Sequence, residues 1–360
     1  MNGLVIPFTG LKKQYNTLRT EILDVTDEVL RSGQLMSGNY TAEFENWLAK
    51  KNQSKYAVTC HSGTNALEII ATYYRAKSGI NPPRAVIPSM TYVATANAFA
   101  NAGWEIYIGD TDYYGLLDKK KIPDTLSVQA HVVVGLYGMA VDELESRFWA
   151  TDLVVEDGAQ HWLSNNCRRW GNATAISFDP MKNLNCYGNG GAVVTDDIDL
   201  LEFARSYRNN GKPKNEYAGT NSRMSEIDCA QMMVKTQHID AWQERRKKIA
   251  GYWMTRLKGS GIRTLIDNNN FQTHAFHKFV IEIDSRDIVQ RNLNIKKIET
   301  KVHYEQPLHE LPAYDECAGP DILSVASSMS RRVLSLPFYP ELSDLEVEYI
   351  IDQVLDAAGK

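Results

Sequence analysis

Residues 177–191 read SFDPMKNLNCYGNGG and lie between two apolar runs. Ala175-Ile176-Ser177-Phe178 leads into Lys182, and Gly191-Ala192-Val193-Val194-Thr195 follows the glycines. The reading is a strand, a loop closed by Gly188, Gly190 and Gly191, and a second strand. A lysine on a loop between two buried strands is either a solvated turn residue or a nucleophile, and the stretch alone leaves both open. Cys186 lies in the same loop with no histidine near it in sequence, so it reads as a structural thiol.

The pattern extends outward from this stretch. KYAVTC (55–60), AVIPS (85–89), WEIYIGD (104–110), AHVVVGLYG (130–138), DLVVED (152–157) and TAISFD (174–179) join GAVVT (191–195) as seven expected strands. Several are continuous apolar runs, as expected of strands buried on both faces. Helical spacing marks 11–31, about 40–51, 63–76 and the ATANAFANAG segment between the second and third strands. Alternating strands and helices predict an α/β fold: a three-layer α/β/α sandwich with a seven-stranded, mostly parallel sheet. After residue 240 the pattern changes. A long helix, IDAWQERRKKIAGYWMTRLKGSG, is followed by FHKFVIEI (276–283), KVHYEQPLH (301–309) and a closing helix. The expected division is a large domain over 10–245 and a smaller C-terminal α+β lobe over 246–360, with residues 1–9 packing on the latter.

Composition narrows the class. A net charge of -5 over 360 residues gives no general attraction to nucleic acid or to anionic membranes. No run reaches the roughly 18 apolar residues of a membrane span, and the start MNGLVIPFTGLKKQY lacks the form of a signal peptide. Cysteines 60, 167, 186, 229 and 317 form no C-x-x-C pair and read as reduced thiols of a cytoplasmic protein.

Open α/β sheets bind ligands beyond the carboxyl ends of their strands. There the sequence places His61-Ser62-Gly63-Thr64 at a helix start, a natural phosphate site or a simple cap. Thr91-Tyr92 follows the second strand, as core or as a platform for a flat ligand. Asp157 ends an apolar run, where a carboxylate needs a cation or hydrogen bonds. Lys182 comes after the next strand. Together these suit pyridoxal 5'-phosphate (PLP), which needs a lysine, an acid for its ring nitrogen, a phosphate cup and an aromatic face. No Walker loop occurs, GNGG precedes a strand rather than a helix, and the histidines show no metal-ligand spacing, so no metal is expected.

IPFTGLKKQY, SGTNAL, PSMTYVATANA, VVEDGAQ, SFDPMKNL…GNGGAVVT, GTNSRMSEIDCAQ and HYEQPLHELPAY, in this order, resemble the DegT/StrS-type PLP-dependent sugar aminotransferases of fold type I. The resemblance spans nearly the whole chain. It implies that Lys182 holds the cofactor and shuttles a proton, that Asp157 pairs with the ring nitrogen, and that Gln160 reaches the ring's phenolic oxygen. It implies further that Tyr92 stacks on the ring and that Gly63, Thr64 and Ser177 hold the phosphate. Asn221 would reach the phosphate of a neighbouring subunit in a homodimer, and Tyr304 and His309 would lie near the sugar. The implied reaction passes an amino group from glutamate, through the pyridoxamine 5'-phosphate form, to a nucleotide-linked keto sugar by a ping-pong mechanism. Lys182 sets the chain apart from the dehydrating branch, which carries histidine there. The KNL and G-x-G-G pattern favours carbon 3 over carbon 4. A free keto sugar or cyclitol as acceptor, and a non-catalytic PLP-binding sensor, are the alternatives. His161 and Trp162, Gly158 and Asn189 depart from the family pattern, and His161 is either a substrate contact or a packed ring.

Overall fold

The computed structural model describes residues 5–141, 153–167, 169–317 and 323–360. Asp152, expected to start the fifth strand, lies outside them. The large lobe opens with α1 (Leu11–Ser32), which ends at Gly33 with φ 69°, a left-handed cap that glycine adopts without strain. Then come α2 (Asn39–Lys51), β1 (Tyr56–Cys60), α3 (Gly63–Lys77), β2 (Arg84–Pro88), α4 (Val93–Asn101), β3 (Glu105–Gly109), β4 (Ala130–Val134), β5 (Leu153–Asp157), β6 (Ala173–Ser177) and β7 (Gly191–Thr195). Helices α5 (Ile198–Tyr207), α6 (Glu226–Thr236) and α7 (Ile239–Leu257) follow.

The seven strands form one sheet in the order β1-β7-β6-β5-β4-β2-β3. β2, β3, β4, β5 and β6 run parallel, and β7 lies antiparallel between β1 and β6. Both faces are buried, which is why the strands read as unbroken apolar runs. Val193 packs with Ile70, Phe99 and Leu200 under α3, α4 and α5; Ala192 and Val194 face Phe44, Leu48 and Met232 of α2 and α6. The expected strand 130–138 stops at Val134. Leu136–Gly138 is a 3-10 turn in which Tyr137 has φ 60°, so the apolar run continues where the extended backbone does not.

The small lobe holds β8 (Arg263–Thr264), β9 (Val280–Glu282) and β10 (Val333–Ser335) in an antiparallel sheet, with α8 (Arg286–Ile295), α9 (Ser324–Arg332) and α10 (Asp344–Ala357). Only Val280–Glu282 of FHKFVIEI is strand, and Lys301 of KVHYEQPLH makes a single bridge to Ser335. Ile6 bridges Ile298 and sits in the core of this lobe. Helix α7 has Ile239 in the large-lobe cluster and Ile249, Trp253 and Leu257 in the small-lobe cluster. Among the described residues no helix is long and apolar enough to cross a membrane.

Candidate active site

A cavity of about 440 Å³ opens beyond the carboxyl ends of the parallel strands. Its floor and one wall come from the large lobe, and His277, Lys278, Lys301, His303 and Tyr304 of the small lobe close the other wall. Gly63, Thr64, Tyr92, Asp157, Gln160, Ser177, Lys182 and Tyr304 all line it, so eight of the residues singled out from sequence meet in one place.

The cup at one end is built from two glycines and a serine. Cys60, Gly191 and Ser177 stand in register across β1, β7 and β6. A Cβ at Gly191 would lie 2.3 Å from the Ser62 carbonyl, and one at Gly63 would lie 2.6 Å from the Ser177 Cβ. Only glycine at both positions lets the first turn of α3 sit down on the sheet. Ser62 caps that helix, its Oγ accepting the Asn65 amide hydrogen at 3.2 Å. The amides of Gly63 and Thr64 are thereby left without helical partners at the positive end of a helix, beside the Ser177 hydroxyl, as a phosphate requires.

Asp157 ends β5 and is buried. Oδ2 accepts a hydrogen bond from Thr95 Oγ1 at 2.7 Å and Oδ1 accepts one from the Ala159 amide at 3.1 Å. Thr95 is in turn 3.0 Å from Thr91 Oγ1. The carboxylate is thus fixed and aimed. Lys182 keeps contact with the cavity yet sits deep among protein atoms. Burial lowers its ammonium pKa, while Asp157 and Asp179 pull the other way. Its loop is pinned: the Lys182 amide donates to Asp179 O, Phe178 N to Gly190 O, and Cys186 N to Phe178 O.

Gln160 is held from both ends. Its Oε1 accepts the Tyr137 amide hydrogen at 2.7 Å and its Nε2 donates to Tyr304 Oη at 3.2 Å. Tyr92 is largely exposed toward the opening, its ring 5.7 Å from that of Tyr304. Burial raises the Tyr304 hydroxyl's pKa, so it stays protonated.

Three residues singled out from sequence do not line the cavity. His161 is buried behind it, with Nδ1 accepting the Gly135 amide hydrogen at 3.0 Å and Nε2 3.5 Å from Glu156. Of the two readings left open for it, this geometry matches the packed ring rather than the substrate contact. His309 ties a turn to the end of β2, through Ser89 Oγ at 2.5 Å and Ser327 Oγ at 3.0 Å. Asn221 is exposed on a loop whose neighbour Ser222 accepts the His61 amide hydrogen.

The sequence reading missed Thr95, Asp179, His277, Lys278, Lys301 and His303. Lys278 carried a usable signal: a lysine flanked by Phe276, Phe279 and Val280 in an apolar run needs a reason to be there. Burial, with Lys182 and Lys301 nearby, lowers its pKa to about 7. Burial and the same cations hold His303 neutral, with a pKa of about 2. Among the described residues no group of His, Cys, Asp and Glu side chains converges as a metal site.

A three-layer α/β lobe, a smaller lobe closing over its strand ends, and a half-buried lysine beside a fixed aspartate and a helix-start phosphate cup define a PLP-type aminotransferase. The chain matches the DegT/DnrJ/EryC1/StrS aminotransferase family over residues 16–355 and belongs to it. It is 33% identical over 373 residues to the dTDP-3-amino-3,4,6-trideoxy-alpha-D-glucose transaminase of Streptomyces venezuelae, covering 99% of this chain and 97% of that one. It is 31% identical to the UDP-2-acetamido-2-deoxy-3-oxo-D-glucuronate aminotransferase of Pseudomonas aeruginosa, covering 96% and 98%. The crystal structure of S. venezuelae DesV in complex with a ketimine intermediate superposes with a TM-score of 0.91 at 33% identity, over 99% of each chain. The enzyme is a PLP-dependent transaminase.

Proposed function

We propose that the enzyme transfers an amino group from glutamate to the keto group of a nucleotide-linked sugar, at carbon 3, by a ping-pong mechanism. One observation carries the reading: Lys182, Asp157, the Gly63–Thr64 helix start and Tyr92 line the same cavity. When bound, PLP supplies a carbonyl that exchanges amines and a ring that withdraws electrons. Gly63, Thr64 and Ser177 would hold its phosphate. Asp157, fixed by Thr95 and Ala159, would keep the ring nitrogen protonated. Gln160 would donate a hydrogen bond to the ring oxygen, and Tyr92 would cover the ring. Lys182 holds the cofactor and then, as a free amine, moves a proton to and from the substrate carbon; its lowered pKa keeps more of it in the neutral form this task needs. The relatives' names, which place an amino or oxo group at carbon 3, support that position for this chain. We also propose a homodimer, in which the exposed Asn221 reaches the partner's phosphate cup, and a cytoplasmic location.

The test is a spectrum. Wild-type enzyme with PLP should be yellow, and glutamate should discharge the visible band. Lys182→Ala should bind PLP non-covalently and lose turnover by at least about a thousandfold. Turnover of an amino donor by this variant would sink the assignment of Lys182. Failure of wild type with every donor would favour a PLP-binding sensor. Inhibition of the acceptor reaction by nucleoside diphosphates separates nucleotide-linked from free keto sugars.

A further inference from the structure

One charge in the cavity has no task in this reaction. Lys278 is only 5% exposed, and it lines the cavity. Its Nζ has no hydrogen bond or ion pair with any described residue, and it stands 5.3 Å from the centre of the Phe8 ring. Lys301 Nζ stands 5.3 Å from the same ring, so two lysine side chains share one aromatic neighbour. A buried ammonium without a counter-ion is strongly disfavoured. The groups that face it offer little relief: Lys182 and Lys301 are basic, His277 and His303 are held neutral by burial, and among the described residues Asp179 is the one carboxylate acting on it. The phosphate cup lies on the large lobe at the start of α3, whereas Lys278 stands on the small lobe just before β9.

We propose that Lys278, with Lys301 beside it, is a carboxylate-binding corner of the active site, taking a carboxylate of whichever substrate fills the cavity. This rests on the transamination reading above. The carboxylate comes from the amino donor or from an acidic sugar acceptor. An arriving carboxylate meets a desolvated amine already in place at the cavity wall, and pairing with it favours the ammonium form. Loss of one partner of such a buried pair weakens binding by about 30-fold or more.

The experiment uses Lys278→Met holoenzyme, which keeps the length of the side chain and removes the charge. Succinate, an unreactive dicarboxylate, is titrated calorimetrically into wild type and variant. The glutamate half-reaction is followed by discharge of the visible band, and acceptor turnover is compared for keto sugars with and without a carboxylate. A donor source predicts that succinate affinity and the glutamate KM worsen by about 30-fold or more while the saturated rate changes by less than about threefold. A sugar source predicts normal succinate binding and glutamate reaction, with the same loss only for the acidic sugar. Unchanged behaviour in all three arms overturns the proposal, as does a variant whose only defect is weaker PLP binding. Failure of wild type with every donor sinks the transaminase reading instead. Removing an unpaired buried charge should leave the melting temperature unchanged or higher. Should Lys278→Met fail to fold, the exposed Lys301→Met must show a smaller loss, about threefold, in the same arm; no loss there overturns the proposal.

Discussion

Gly63→Ala tests the construction of the phosphate cup. The added Cβ would lie 2.6 Å from the Ser177 Cβ and 3.2 Å from its Cα. That is roughly 1 Å inside the optimal carbon–carbon separation. Ser177 cannot retreat: it is the last residue of β6, paired with Gly191, and the next amide, Phe178 N, donates to Gly190 O at 2.8 Å. The first turn of α3 must lift instead, carrying the Gly63 and Thr64 amides away from the serine. Overpacking of this kind costs about 1–3 kcal/mol. If binding must restore the cup, that strain raises the PLP dissociation constant by about 5- to 150-fold. The assay is titration of apoprotein with PLP by absorbance, alongside thermal melting of the apoprotein. A dissociation constant within about twofold of wild type would show that the close approach of helix and sheet does not shape the cup.

Two further expectations concern the frame. Glu226 caps α2 from α6, accepting the amide hydrogens of Gly38 at 2.8 Å, Tyr40 at 2.6 Å and Thr41 at 3.2 Å; Gly38 itself has no side chain to do so. Glu226→Ala should lower the unfolding free energy by about 2–4 kcal/mol in urea while leaving the holoenzyme spectrum unchanged, and a loss below about 0.5 kcal/mol would contradict the cap. Burial raises the pKa of the Cys60 and Cys229 thiols to about 12 and of Cys167 to about 11, and raises that of Cys186 further. At pH 8 all four are therefore protonated, and only the half-buried Cys317 should react quickly with an aromatic disulfide in the native enzyme; two or more fast thiols would contradict this.

Much of the cofactor site was legible because its parts stand at strand ends, where an apolar run stops at a polar residue. Asp157 and Ser177 announce themselves in that way, and Lys182 gains meaning only beside them. What periodicity could not supply is the small lobe's contribution. His277, Lys278 and Tyr304 reach the cavity through folding contacts more than ninety residues from Lys182 in the chain. Thr95 was hidden for a different reason: in a helix a threonine under a carboxylate looks like any other small residue. Cys186, read as a structural thiol, is buried in the core between the sheet and α6. Tyr187 beside it covers the buried ammonium of Lys235, 3.6 Å from its ring centroid.

Helix α7 has one end in each core, and Gln243 on it joins the two halves of the site. Its Nε2 donates to Ala275 O at 2.7 Å, and its Oε1 accepts from Asn183, the residue after Lys182, at 3.1 Å. Farther along, Trp253 Nε1 donates to Val347 O at 2.9 Å. Inserting one residue between Ile239 and Gln243 would turn everything beyond it by about 100° and advance it by about 1.5 Å. Gln243 would then face away from Asn183, and the small lobe, carried with the helix through contacts such as that of Trp253 with Val347, would bring the wall bearing His277 and Lys278 out of alignment with Lys182. The exposed positions of this helix can drift freely in residue type, but its length is a gauge that divergence cannot alter.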